Sequence, residues 1–146
     1  YSYEQALLLA RRLGGDALSA EELYRRMAFN VIARNQDDHV KNVAFTMDRT
    51  GAWSLAPAYD LTFAWAPGNR WLDRHQMTIA GKRDGFERSD LEAVARVAGL
   101  PRGRWKSVVA DVGAAVRRWP EFAAEVGVDE AMAARIGEAH RLGLVG

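Results

Sequence analysis

The chain has 146 residues, 49% of them hydrophobic and 27% charged, with 20 basic against 19 acidic side chains for a net charge of +1. This is the make-up of a folded single domain that buries about two-thirds of its unfolded surface, and it excludes disorder and fibrous repeats. With no cysteine, disulfides and thiolate-bound zinc are excluded; three dispersed histidines argue against a histidine cage, and balanced charge argues against nucleic-acid binding by charge alone.

Tyr3 to Leu13 is rich in Ala and Leu and predicts a short helix that stops at Gly14-Gly15. Ser19-Ala20-Glu21-Glu22 has the layout of a capping box. Leu23, Met27 and Val31, with Tyr24, Ala28 and Ile32, then recur at helical spacing, so a well-buried second helix is expected as far as about Arg34. The pattern breaks at Asn35-Gln36-Asp37-Asp38-His39-Val40-Lys41-Asn42, where seven of eight residues are polar. Lying between a buried helix and the apolar run Val43-Ala44-Phe45, this loop is expected to be held inside the fold. Val43 to Met47, a turn at Asp48-Arg49-Thr50-Gly51, and Ala52 to Leu55 predict a short hairpin.

From Thr62 to Arg88 no period is sustained, so this stretch reads as an irregular excursion with one strand near Met77-Thr78-Ile79. Ser89-Asp90-Leu91-Glu92 has the layout of a second capping box, followed by Leu91, Val94, Ala95 and Ala98 on one helical face before Gly99. Trp105, Val108, Val109, Val112, Val116 and Trp119 form a cleaner stripe that stops at Pro120, and Asp129 to Leu142 predicts a last helix. The expected architecture is mainly α, one domain over residues 1–146, with a short hairpin after the polar loop.

Asp37, Asn42 five residues later, and Asp60 beyond the hairpin are the residue types a phosphoryl-transfer site needs. One carboxylate orients and deprotonates the attacking hydroxyl, and the other oxygens hold magnesium against nucleotide phosphates. Protein kinases place their catalytic Asp and metal-binding Asn at this spacing and follow them, after a β-hairpin, with a second metal-binding Asp. His39 and Lys41 lie between, where a ring packs the loop and a positive charge can face a transferring phosphate. Asp-x-x-x-x-Asn alone is common by chance. The combination is rarer: Asn-x-Asp-Asp-His-x-Lys-Asn after a buried helix, then Leu55-Ala56-Pro57-Ala58-Tyr59-Asp60-Leu61 after a hairpin.

With these strings the sequence resembles the HipA family, serine/threonine-type kinases that are the toxins of bacterial toxin–antitoxin pairs. The resemblance covers nearly the whole chain: Ala28-Phe29-Asn30, Asn35 to Asn42, Pro57 to Leu61, Thr78-Ile79-Ala80-Gly81-Lys82, and the helical tail. It implies the C-terminal, helical lobe of a kinase-like fold, with Asp37 as catalytic base, Asn42 and Asp60 as magnesium ligands, and His39, Lys41 and Tyr59 on the ATP side. It implies ATP and Mg2+ as cofactors, and as partners a helix-turn-helix antitoxin of HipB type, with DNA reached only through that antitoxin. The implied substrate is a protein hydroxyl, a translation factor or an aminoacyl-tRNA synthetase being the kind suggested, and bacterial persistence is the implied context.

The chain departs from a complete kinase in ways that matter. Neither a strand-borne Gly-rich loop nor the strand Lys paired to a helix Glu is present, the lysines being Lys41, Lys82 and Lys106, and Leu61 follows Asp60 where protein kinases carry Asp-Phe-Gly. The first residue is not Met. The expectation is therefore half an enzyme, with the N-terminal lobe upstream in the same polypeptide or on a separate chain. No apolar run reaches the roughly 18 residues of a membrane helix and the first residues are unlike a signal peptide, so a cytoplasmic protein without a membrane partner is expected.

Other features have plainer readings. Asp38 reads as a solvated neighbour of the catalytic carboxylate, or else as a helper in loop hydrogen bonding, and His39 as a buried hydrogen-bonding post. Trp105 and Trp119 read as core, and Trp65 and Trp71 equally as a binding lip or as an insertion resting on the core. Arg102, Arg104, Lys106, Arg117 and Arg118 read as solvated helix faces rather than a nucleic-acid surface. Two alternatives to an active kinase lobe stand: a catalytically silent lobe that binds an antitoxin or substrate, and a hydrolase metal site built from Asp37, Asp38, His39 and Asp60.

Overall fold

The computed structural model describes residues 1–14 and 17–146. Six helices and one two-stranded antiparallel sheet are seen among them: α1 Tyr3–Gly14, α2 Ala17–Ile32, β1 Phe45–Met47, β2 Trp53–Leu55, α3 Arg88–Ala98, α4 Arg104–Arg117, α5 Trp119–Glu125 and α6 Glu130–Ala139. Single 3-10 turns lie at Val40–Asn42 and Leu142–Leu144. None of these helices is long and apolar enough to cross a membrane.

The helical stripes do what their spacing requires. Leu23, Tyr24, Met27, Ala28, Val31 and Ile32 of α2 are buried against Leu7 and Ala10 of α1, Leu91, Val94 and Ala98 of α3, and Trp105, Val108, Val109 and Val112 of α4. Each large aliphatic side chain fully withdrawn from water contributes about 1.5–3 kcal/mol, and this shared core holds α2 at the centre of the domain. Its polar end and the loop that follows are thereby placed next to the core. The hairpin pairs Phe45 with Leu55, Thr46 with Ser54 and Met47 with Trp53, and Asp48 closes its turn by accepting from the Thr50 and Ala52 amides.

Several boundaries differ from the sequence expectation, each for a local reason. Helix α2 starts at Ala17, so Ser19 lies inside it rather than capping it, and it ends at Ile32, two residues before Arg34, whose φ of 60° is left-handed. The stop expected at Gly14-Gly15 meets the observed end of α1 at Gly14, while Gly15 lies outside the described residues. The second capping box sits two residues earlier than expected: Glu87 is the N-cap and Asp90 reaches back to accept its amide at 2.8 Å. No strand forms at Met77–Ile79. Single bridges, Ser2 with Thr78 and Ile79 with Lys82, satisfy part of that backbone while Met77 and Ile79 drop into the core.

Pro120 opens a helix instead of closing one. Helix α4 ends at Arg117, and Pro120 occupies the first turn of α5, where its missing N–H costs nothing. Trp119 thus leaves the α4 stripe and lies half-buried, its indole N–H donating to the Ala133 carbonyl at 2.8 Å. The last helix is shorter than expected, Glu130–Ala139, with Asp129 accepting from the Met132 amide as its cap. Of the basic run, Arg104 forms a two-pronged pair with Glu21 and Arg118 pairs with Glu121, as expected of charged helix faces.

Candidate phosphoryl-transfer site

The polar loop is held inside the fold by its own first residues. Gln36 donates its amide to the Ala64 carbonyl at 2.9 Å, and Ala64 returns a bond to the Arg34 carbonyl at 3.0 Å. Asn35, Gln36 and Asp38 are all buried. Asp38 is thus no solvated neighbour: at 1% exposure it is the anchor of the loop. Its Oδ2 accepts from the Tyr3 hydroxyl and from His75 Nδ1, both at 2.8 Å, and its Oδ1 accepts from the Gln76 amide at 2.8 Å. A buried carboxylate is tolerated because three donors replace its water. Burial first, and the Asp38 carboxylate next, push the Tyr3 phenol well above its ordinary pKa, so it stays a neutral donor.

With its neighbour anchored, Asp37 turns outward. Its side chain is 48% exposed, and the ring of His39, 36% exposed, approaches only to 4.0 Å between Nε2 and Oδ1, too long for a hydrogen bond. His39 is therefore a partly exposed post, not a fully buried one. Asn42, at the end of the 3-10 turn, joins the rest: its Nδ2 donates to the Asp37 carbonyl at 3.3 Å and to Asp60 Oδ2 at 2.9 Å. Tyr59, beside Asp60, donates its hydroxyl to the Lys41 carbonyl at 2.5 Å. His39, Asn42, Tyr59 and Asp60 thus border one small cavity, and Asp37 and Lys41, which do not line it, are tied to that group through their backbone carbonyls. Although the start of the loop is held inside the fold as expected, Asp37 is half-exposed and Asp60 exposed.

Asp60 is one of three non-glycine residues at positive φ, 55°, in the described chain. A left-handed aspartate costs free energy that surrounding contacts must offset, and such residues cluster at functional sites. Here Asn35 donates to the Asp60 carbonyl at 3.1 Å and Asn42 to its carboxylate. A carboxylate and a carboxamide carry hard oxygen donors of the kind magnesium takes when phosphates and water complete its shell, so these residue types fit that ion, although it is the Asn42 Nδ2 and not its oxygen that faces Asp60 here. The hydrolase reading does not fit. Among the described residues no three His, Asp or Glu side chains converge on a metal position, and Asp38 is fully engaged with Tyr3, His75 and Gln76.

Sequence reasoning missed the residues that support the loop. Asn30, a buried amide on the apolar face of α2, was a visible signal; Tyr3, His75 and Arg141 gave none, since they reach the loop across 35 residues or more. Trp105 is core, Trp65 lies half-buried beneath the Arg34 guanidinium at 4.2 Å, and Trp71 is exposed. A larger cavity, about 610 Å³, opens behind Asp60 between α2, α4, α5 and α6, walled by Phe29, Leu61, Phe63, Trp119, Phe122 and His140. It is apolar, and Asp37, Asn42 and Asp60 do not line it.

Comparison with known proteins bears on the family and the fold. The family model of the HipA-like C-terminal domain matches residues 1–138. A solved structure, the Shewanella oneidensis MR-1 toxin–antitoxin system HipA, HipB and its operator DNA complex, is similar with a TM-score of 0.71 and 24% identity. That match covers 99% of this chain and 34% of the other, so this chain spans about a third of the length of the solved one. A search of curated proteins found no match.

Proposed function

This chain belongs to the HipA-like C-terminal domain family, and from that premise we propose that it is the catalytic lobe of a serine/threonine protein kinase, the toxin of a toxin–antitoxin pair. The lobe spans residues 1–146 and works with an N-terminal nucleotide-binding lobe. Its partner is a helix-turn-helix antitoxin of HipB type, through which it meets operator DNA, the similar solved structure being a complex of that kind. The substrate is a protein hydroxyl. One observation carries the reading: a single side chain, Asn42, ties the backbone of Asp37 to the carboxylate of Asp60, 18 residues beyond Asn42 in sequence.

The chemistry follows from the positions. Asp37, outward-facing and with the His39 ring 4.0 Å from its carboxylate, accepts the proton of the attacking hydroxyl. Asn42 and Asp60 hold Mg2+, which when bound with ATP neutralises charge on the phosphates. Tyr59 fixes the Lys41 backbone, and the exposed Lys41 ammonium adds positive charge on the phosphate side. His39 packs the loop and moves no proton, since Asp37 has that role.

The test is transfer of radiolabelled phosphate from ATP by the full-length protein, in wild type and in Asp37→Asn and Asp60→Asn. Loss in both supports the kinase reading. Full transfer in both would overturn the roles of Asp37 and Asp60, and no transfer by wild type would leave the catalytically silent binding lobe.

A further inference from the structure

The buried polar side chains around the loop form one unbroken hydrogen-bonded series, and its polarity is fixed from one end. Arg141 has only donors, and its Nη1 lies 2.9 Å from His75 Nε2, so that nitrogen accepts and the imidazole proton sits on Nδ1, facing Asp38. Tyr3 gives its own proton to Asp38, so its oxygen accepts from Asn30 Nδ2 at 2.9 Å. The Asn30 oxygen must then face Asn35, and it accepts from Asn35 Nδ2 at 3.0 Å. That same Nδ2 reaches the carbonyl of left-handed Asp60. Every amide orientation in the series is imposed by its neighbour.

At the far end one acceptor is left over. Asn35 is 1% exposed, and its Oδ1 is buried without a hydrogen-bond partner among the described residues. His39 Nδ1 is buried and without a partner in the same way. Both residues border one small cavity of about 20 Å³, with Asn42 and Asp60 also on its wall. That volume holds one water, and a water in such a place needs the polar partners that these two atoms offer.

We propose that Asn35 is the positioning residue for Asp60: held in one amide orientation by Tyr3 and Asn30, it pins the Asp60 carbonyl and shares a single buried water with His39. The inference rests on the reading of Asp60 as a metal ligand. Tyr3, which borders the same small cavity, thereby sets the geometry of the metal site through Asn30 and Asn35. Outer partners of this kind typically tune metal affinity by about 10-fold to 100-fold.

The experiment is Mn2+ binding in the presence of ATP, read from free Mn2+ by electron paramagnetic resonance, on the full-length protein. Wild type is compared with Tyr3→Phe, Asn35→Asp, Asp60→Asn and Tyr24→Phe. Tyr24 is the control, because its buried hydroxyl donates to the Leu91 carbonyl at 3.0 Å, outside the series. Tyr3→Phe should weaken Mn2+ about tenfold, Asn35→Asp at least as much, and Tyr24→Phe not at all. Since Asn35→Asp alone risks the fold, Tyr3→Phe carries the decision. Wild-type affinity in Tyr3→Phe, with Asp60→Asn abolishing binding, overturns this inference alone. Unchanged binding in Asp60→Asn overturns the metal reading and this inference with it. A high-resolution crystal structure should show one water within hydrogen-bonding distance of both Asn35 Oδ1 and His39 Nδ1, and a dry cavity there would refute the shared water.

Discussion

Asp37 and Asp38 are adjacent carboxylates with opposite duties, and their surroundings assign them. Asp38, locked by three donors in the core, is expected to be structural: Asp38→Ala leaves the Tyr3 hydroxyl and His75 ring without their acceptor, and should cost about 3–5 kcal/mol in urea unfolding. Asp37→Asn, half-exposed, should leave the urea midpoint nearly unmoved while phosphoryl transfer by the full-length protein falls about 10²- to 10⁴-fold. If the two variants exchanged these phenotypes, the base would be Asp38. A third titratable residue sits apart, in the apolar cavity. Burial lowers the His140 pKa below its ordinary value of 6.5, so the folded state binds fewer protons than the unfolded one. Stability from this residue is therefore full above about pH 6.5, falls as pH drops below that, and levels off once pH passes the lowered folded-state value. His140→Phe should flatten the urea midpoint against pH in that window, and an unaltered slope would show that His140 does not carry it.

At the scale of elements, the stripes of α2, α3 and α4 were legible because each buries one face against a common core, and 3.6-residue spacing records that directly. Starts and stops were less so. Ser19-Ala20-Glu21-Glu22 satisfies a capping pattern while lying inside α2, and the box that does cap α3 has Glu87 as its N-cap, a residue type the usual Ser, Thr, Asp or Asn signal passes over. As a motif, the Asp37, Asn42 and Asp60 string was legible because loop and hairpin are local, and in the structure the Asn42 side chain joins its two ends. The support beneath it was invisible, since Tyr3 with Asp38 and His75 with Arg141 are contacts made only by the completed fold. Two elements carry tests. Asp90→Ala removes the return half of the α3 box and should lower stability by about 1 kcal/mol in urea unfolding. Gly113 sits in α4 where an added Cβ would drive into Val145, so Gly113→Ala should cost about 1–3 kcal/mol despite its better helix propensity. A stabilised Gly113→Ala protein would mean that the Leu142–Leu144 turn gives way without penalty.

On the scale of the whole molecule, the proposed site has one side only. In the proposed function Asp37, Asn42 and Asp60 supply a base and metal oxygens, but nothing among the described residues forms a Gly-rich loop over phosphates, and Lys82 is committed to Asp90 at 2.8 Å. Metal ligands alone hold a nucleotide through its phosphates and leave adenine and ribose in water. Their contribution is small against the roughly 8 kcal/mol that micromolar binding requires. The 146-residue chain by itself should therefore fold, with one cooperative urea transition, yet bind ATP with Mg2+ at millimolar strength, near 4 kcal/mol, and transfer no phosphate at a measurable rate. Titration calorimetry with Mg2+ and ATP, run beside the full-length protein, measures the difference that the other lobe makes. Micromolar affinity or autophosphorylation by the 146 residues alone would mean that the adenine and phosphate contacts reside in this lobe after all. The apolar cavity behind Asp60, walled by Leu61, Phe63 and Trp119, would then be where to look for them.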